Sequence, residues 1–246
     1  MTWMAPRVLV LFARAPRREA SDKGLALASG ERLFAAFAQG WIDAAANCGA
    51  RVLVATPPED RPAWRGALPP DARFEFLEQR GDSLGSRLED AARRASASGG
   101  CVVVVGGDVA PSAPNLTAAF ERREAGDDAV ISPAGDGGVS LVSLRDSDLG
   151  LLGRFAPRRS DVFSGLARSL AVRGRRIAVV APAADVDGRR ELRRLLGTDA
   201  LPSSDLEALA RAALREDRWN PGRLAANAAP SAHVESLASR GPPHAA

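Results

Sequence analysis

Short apolar runs alternate with stretches of helical period from the start of the chain to about position 216. Arg7–Ala13, Arg51–Ala55, Phe74–Leu77, Cys101–Asp108, Asp128–Ser132, Val139–Leu144 and Arg176–Ala181 have the length and β-branching of strands. Between them, Gly30–Asn47 sets Leu33, Phe34, Phe37, Trp41, Ile42 and Ala45 at helical spacing, and Gly49 closes that helix. Further helices are expected from the Gln79–Leu88 segment to about Ala97, with Asp82 or Ser83 as cap, and over Ala113–Arg123, Phe163–Val172, Arg189–Leu196 and Leu206–Glu216. Arg14–Ser29 is expected to be a polar loop. From about Trp219 the apolar anchors thin out among Ala, Pro, Ser and Gly, so 1–216 is expected to be the folded domain and 217–246 a disordered tail.

The alternation predicts an α/β protein with helices on both faces of its sheet. Four consecutive valines between Cys101 and Gly106-Gly107-Asp108 read as a strand buried on both faces in the middle of that sheet. Ligands of open α/β sheets sit at the carboxyl ends of the strands, which puts Asp108 where a metal–phosphate group would be held. The paired glycines would let the backbone approach that ligand. The same run also fits a plain strand followed by a tight turn.

Composition narrows the chemistry. The chain has no tyrosine, and its two histidines, His233 and His244, lie in the tail. A histidine-based triad or a tyrosine acid is therefore not expected in the core. Chemistry is left to carboxylates, Arg, Lys, Ser, backbone amides or a metal held by oxygen. Cys48 and Cys101 lack metal-site or redox spacing and read as small core hydrophobes. The net charge of +3 is spread among interspersed acids, without a basic stripe, so no nucleic acid is expected as partner. No apolar run is long enough to span a membrane, the opening residues do not resemble a signal peptide, and the expected location is cytoplasmic.

Two kinds of segment stand out as sites. Arg14, Arg17, Arg18 and the one lysine of the chain, Lys23, follow the first strand, a natural place to bind phosphate. Carboxylates close three strand-end loops: Asp108, Asp136 in Pro133-Ala-Gly-Asp-Gly-Gly138, and the pair Asp185 and Asp187. Mg²⁺ commonly joins one or two protein carboxylates to substrate phosphates, and this set has that make-up. Asp136 also suits a tight turn, and Asp185 and Asp187 also suit a helix cap.

The order Phe12-Ala-Arg14-Ala-Pro16, Gln79 with Gly81 and Leu84-Gly-x-Arg87-Leu88, Val-Val-Val-Gly-Gly-Asp108, Ser132-Pro-Ala-x-Asp136-Gly-Gly and Asp185-Val-Asp187 resembles the bacterial GT-A-type glycosyltransferase-like family. Some members of that family are named arsenosugar-biosynthesis glycosyltransferases, and its fold is similar to that of the guanylyltransferases of molybdenum cofactor and 2-phospholactate. The resemblance spans about Val8 to Leu196. It implies a three-layer, mostly parallel mixed sheet of the nucleotide-diphospho-sugar transferase kind.

It further implies Asp108, Asp185 and Asp187 near a divalent cation, Mg²⁺ or Mn²⁺, with Asp136 as catalytic or acceptor-orienting group and Arg14, Lys23 and Arg87 toward the donor phosphates. The family's first-loop pattern Pro-x-x-Gly-x-x-Lys-Thr-Arg-Leu is replaced here by Pro16-Arg-Arg-Glu-Ala-Ser-Asp-Lys23-Gly24-Leu25. The expected partners are a nucleotide sugar or an NTP and a small-molecule acceptor. The expected function is a metal-dependent transferase, foremost a glycosyltransferase, with a nucleotidyltransferase or a non-catalytic nucleotide- or protein-binding member as alternatives.

Overall fold

Seven strands form one mixed sheet in the order β3-β2-β1-β4-β6-β5-β7. They are β1 (Arg7–Phe12), β2 (Arg51–Thr56), β3 (Glu75–Glu78), β4 (Cys101–Gly106), β5 (Ala129–Pro133), β6 (Val139–Leu144) and β7 (Ile177–Val179). Within it β6 runs antiparallel to both neighbours, β4 and β5, while the other pairings are parallel. The computed structural model describes residues 6–97, 99–155, 161–198 and 201–215. The tail expected to be disordered, with its two histidines, lies outside the described residues.

The helices are α1 (Pro16–Asp22), α2 (Leu27–Asn47), α3 (Arg61–Ala67), α4 (Leu84–Ser96), α5 (Ala113–Glu124), α6 (Val162–Val172), α7 (Arg189–Leu195) and α8 (Ser204–Arg215). Alternation along the central strands divides them between two cores. Leu9, Leu11, Val103 and Val105 pack with Trp41 of α2, Trp64 of α3 and Phe120 of α5. Val8, Val10, Val102 and Val104 pack on the opposite face with Ala91 and Ala95 of α4 and Leu166 and Leu170 of α6. Burial of β4 on both faces gives its valine run its purpose: side chains of either parity meet apolar neighbours. A third cluster joins α1, α2, α7 and α8 through Ala20, Phe34, Phe37, Leu192 and Leu206.

Three departures from the pattern reading have physical causes. Arg14–Ser29 is not a continuous loop. Pro16 starts α1, Ala20 is fully buried against α2, and α2 itself begins at Leu27. A Cβ at Gly30 would come within 2.7 Å of the Ala20 Cβ, so the two helices touch through small residues that carry little periodic signal. After β2, where no helix was expected, Pro58 opens a 3-10 turn (Pro58–Asp60) leading into α3, whose Trp64 donates its Nε1–H to Thr56 Oγ1 at 3.0 Å. Asp146–Arg154 forms a 3-10 segment that buries Leu149, Leu151 and Leu152 at a spacing matching neither strand nor α-helix. Its fully buried Asp148 pairs with Arg173 and Arg175, each at 2.7 Å.

The Gly-Gly step at the end of β4 also has a packing cause. In the parallel register Phe12 lies beside Gly106, and the Gly107 amide donates to the Phe12 carbonyl at 3.0 Å. A Cβ at Gly107 would overlap the Cβ of Ala13. The glycine therefore lets the ends of β1 and β4 approach each other. Gly107→Ala is expected to destabilise the fold by about 1–3 kcal/mol, as overpacking does. Gly135→Ala, where an added Cβ meets nothing within 4 Å, is expected to stay within about 0.5 kcal/mol of the parent in urea denaturation.

Candidate functional site

The carboxylates picked out in the sequence gather at one edge of the sheet because the chain after β7 folds back along the end of β4. The Val180 amide donates to Ile131, and the Ala181 carbonyl accepts from Ser132 Oγ at 2.7 Å and Asn115 Nδ2 at 2.9 Å. The strap then pairs antiparallel with residues 108–110: Ala110 N donates to Ala184 O and Val186 N to Asp108 O, both at 2.9 Å. Val186 is fully buried in the third cluster. Its neighbours on either side, Asp185 and Asp187, therefore point the other way, as alternation in extended chain requires.

Asp136 arrives from the β5–β6 turn. Its Oδ1 accepts the Gly138 amide at 2.7 Å, Gly137 takes a φ of +89°, and the Gly137 carbonyl is tied to the amide of Phe163 on α6. The expected turn chemistry of Asp and Gly is thus present, and the same turn delivers a carboxylate to the strap. One oxygen each of Asp136, Asp185 and Asp187 lies within 4.8 Å of the others. Asp108 is joined to this group through Lys23, whose Nζ donates to Asp108 Oδ2 at 2.7 Å and to Asp187 Oδ1 at 2.8 Å.

Three oxygens spaced in this way fit a hard cation. Around an octahedral Mg²⁺ with bonds of about 2.1 Å, adjacent oxygens stand roughly 3.0 Å apart and opposed ones roughly 4.2 Å, so side-chain rotation would have to close the set. The electrostatics agree. Burial, with the charges of Asp136, Asp187 and Asp108, pushes the Asp185 carboxyl up to about 6 from 3.8. Burial is the largest cause, and the neighbouring carboxylates add to it. Burial opposes the charge on Lys23, but Asp108 and Asp187 outweigh it and raise its pKa above the ordinary lysine value.

The other basic candidates are held differently. Arg14 pairs with Glu19 at 3.3 Å and with Asp22, while Arg17 pairs with Glu31 and Arg18 with Glu59 and Asp60. The arginine side chains are 38% exposed or more, against 11% for Lys23. The Arg17–Glu31 and Arg18–Glu59 pairs are largely exposed and worth under about 1 kcal/mol, whereas Arg14 and Arg18 also pair with the buried carboxylates of Glu19 and Asp60. Arg87 lies in the first turn of α4, where its Nε donates to the Ser83 carbonyl at 3.2 Å. Ser83, rather than Asp82, caps that helix, in a capping box with Ser86. Gln79 spans the ends of two strands through the carbonyls of Ala55 at 2.8 Å and Ala13 at 3.4 Å.

Several supporting residues gave no sequence cue. Asp60 Oδ2 accepts the Ala15 amide at 2.9 Å and anchors the start of α1. Trp41 donates its indole N–H to the Val109 carbonyl at 3.0 Å, fixing the backbone next to Asp108. Glu19 is buried beside Arg14. Burial and the nearby Asp108 push its carboxyl up, opposed by Arg14 and Lys23. The acids within a basic segment, Glu19 and Asp22, were the available signal for Glu19. Asp60 and Trp41 are recognisable only from tertiary contacts.

Residues 42–169, just over half of the chain, match the family described as an uncharacterized protein conserved in bacteria, DUF2064. Among solved structures, a candidate nucleotide-diphospho-sugar transferase from Desulfovibrio desulfuricans G20 superimposes with a TM-score of 0.72 at 23% identity, covering 87% of this chain and 98% of its own. A candidate glucose-1-phosphate thymidylyltransferase from Bacillus anthracis gives 0.53 at 11% identity, covering 84% and 96%. The inositol-1-phosphate CTP transferase of T. maritima gives 0.53 at 11%, covering 86% and 97%. At these identities the likeness is one of fold, the nucleotide-diphospho-sugar transferase fold. No curated protein matches the chain in sequence.

Asp185 reports directly on the electrostatics of the cluster. Its raised pKa means that the folded state holds this proton more tightly than the unfolded chain. The stability it contributes is complete below pH 3.8 and lost as the pH rises through about 6. A carbon-13 NMR titration of the metal-free protein is expected to place its midpoint near 6, and Asp136→Asn to lower that midpoint by removing the first of the neighbouring charges. A midpoint at the ordinary aspartate value would contradict the burial of Asp185 among these charges.

Proposed function

The chain belongs to the DUF2064 family, and we propose that it is a divalent-cation-dependent transferase that uses a nucleotide-activated donor, foremost a glycosyltransferase acting on a small-molecule acceptor. The observation that carries this reading is the convergence of Asp136, Asp185 and Asp187 from two separate loops at the carboxyl edge of the sheet. That edge is where open α/β sheets bind their ligands. The likeness of fold to nucleotide-sugar and nucleotidyl transferases supports the choice of substrate class.

In this reading Asp136, Asp185 and Asp187 hold the cation, either Mg²⁺ or Mn²⁺. When bound, the cation would neutralise charge on the departing phosphates. Arg14, with its partly exposed guanidinium, turns from Glu19 and Asp22 to the outer phosphates. Arg87 is a further donor-side cation within the first turn of α4. Lys23 remains between Asp108 and Asp187, and Asp108 acts through it. The strap and the β5–β6 turn hold their carboxylates by backbone hydrogen bonds, so little has to be reorganised on binding.

A second reading, a non-catalytic nucleotide- or protein-binding member, is favoured by one observation. The basic residues of the first loop described above are each engaged with an acidic side chain. A thermal-shift titration separates the readings, with NTPs and nucleotide sugars each tested with and without Mn²⁺ on the parent and on Asp185→Asn. A ligand at a hundred times its Kd adds about 2.7 kcal/mol to stability. A nucleotide sugar is expected to stabilise the parent only with Mn²⁺ and to leave Asp185→Asn unmoved. Stabilisation by free NTPs alone would turn the assignment to nucleotidyl transfer. No shift with any nucleotide at millimolar concentration would overturn the transferase reading.

A further inference from the structure

Lys23 is the one lysine among 33 basic residues, and it occupies a place that suits an ammonium better than a guanidinium. Its nitrogen sits between two carboxylates, 2.7 Å from Asp108 Oδ2 and 2.8 Å from Asp187 Oδ1. A compact ammonium can present protons to both from a single atom, whereas a planar guanidinium spreads its charge over a wider fork. The contacts have the length of charge-assisted hydrogen bonds, longer than the roughly 2.1 Å of a Mg²⁺–oxygen bond.

The side chain is also held at its base. Lys23 ends α1, where its amide donates to Glu19 at 3.0 Å, and Gly24 follows with a φ of +64°. On the other side its carbonyl faces Gly188, where an added Cβ would stand 3.6 Å away. α1 is in turn fixed to α2 by the close approach of Ala20 to Gly30. Unlike the exposed arginines of the same segment, Lys23 has little freedom to leave its partners.

Building on the cation reading above, we infer that Lys23 is a positioning residue that stands in for a second divalent ion. It occupies the gap between Asp108 and Asp187, aligns Asp187 with Asp136 and Asp185, and restricts the site to a single ion. A carboxylate has two oxygens, so the bond that Asp187 makes to Lys23 leaves it able to serve the cluster. Asp108 is then the anchor of Lys23 and not itself a metal ligand. Without the ammonium, Asp108 and Asp187 would face each other uncompensated, and a second ion shared through Asp187 would fit the two-metal pattern of roughly 4 Å spacing.

The test is Mn²⁺ binding to the full chain, without nucleotide, followed by the electron paramagnetic resonance signal of free Mn²⁺. The parent is expected to bind one ion and Lys23→Met two, a change in stoichiometry that a loss of packing would not produce. Adding Asp108→Asn to Lys23→Met is expected to return the count to one. Asp108→Asn alone, which retains a hydrogen-bond acceptor for Lys23 and guards against misfolding of the lysine variant, is expected to keep one ion with affinity reduced by roughly 10- to 100-fold, as for residues acting through a ligand. A single ion of unchanged affinity in Lys23→Met, or loss of binding in Asp108→Asn, overturns the assignment. Failure of the cation reading itself would look different: no ion bound by the parent, which removes this proposal with it.

Discussion

Mutual repulsion among carboxylates is the constraint to which the rest of this site answers. Asp108, Asp136, Asp185 and Asp187 come together where one ammonium is the close counter-charge, and Asp185 shows the imbalance through its raised pKa. Like charges so placed separate unless the backbone prevents it. Here the backbone does: Val186 and Ala110 bind the strap to the end of β4, and Ser132 and Asn115 grip it at Ala181. Burial of Val186 between the two acids adds an apolar anchor. Hydrophobic and hydrogen-bonding energy spent in this way leaves a negative field ready for a cation.

Topology explains why the acids share an edge. In a sheet whose strands mostly run one way, the loops after β1, β4, β5 and β7 leave from the same side. The β5–β6 connection belongs to that side because β6 reverses direction and returns antiparallel between β4 and β5. Asp136 therefore sits in a tight hairpin-like turn instead of a helical crossover, held by its own bond to the Gly138 amide. The close approach of β1 and β4 at Ala13 and Gly107 brings the first segment, and with it Lys23, to the same place. A change in the position of β6 would separate Asp136 from Asp185 without altering either residue.

Much of this was legible in the sequence, for reasons that also mark the limit. The seven strands were readable because β-branched runs such as Cys101–Val105 are long enough to bury on both faces, and α2 because six apolar positions keep one period. The Asp185-Val186-Asp187 triplet carries its own geometry, since alternation turns both acids to one side of a buried valine. Short elements were missed where proline or glycine spacing hid them, as in α1, α3 and the 3-10 segment around Leu149. The partners of the carboxylates were not legible either. The grouping of Asp136 with Asp185, and of Asp108 with Lys23, follows from strand order and from the path of the strap, and neither is written in local spacing. The glycines at the end of β4 were read as room for a ligand, and the sequence did not show that an added Cβ would meet Ala13 at Gly107 and the Asp108 carboxylate at Gly106.

The contrast between Lys23 and its arginine neighbours divides the positive charge of the first segment into two kinds. The side chains of Arg14, Arg17 and Arg18 are 38% exposed or more, and the pairs of Arg17 with Glu31 and Arg18 with Glu59 are largely open to solvent and weak. Lys23 is enclosed and bonded to two acids that would otherwise repel, so moving it would expose that repulsion along with its own desolvated charge. A segment rich in basic residues thus combines arginines open to solvent with one enclosed ammonium that bridges two acids. The chain's preference for arginine sharpens the distinction, because the lone exception falls where a single small donor must serve two carboxylates.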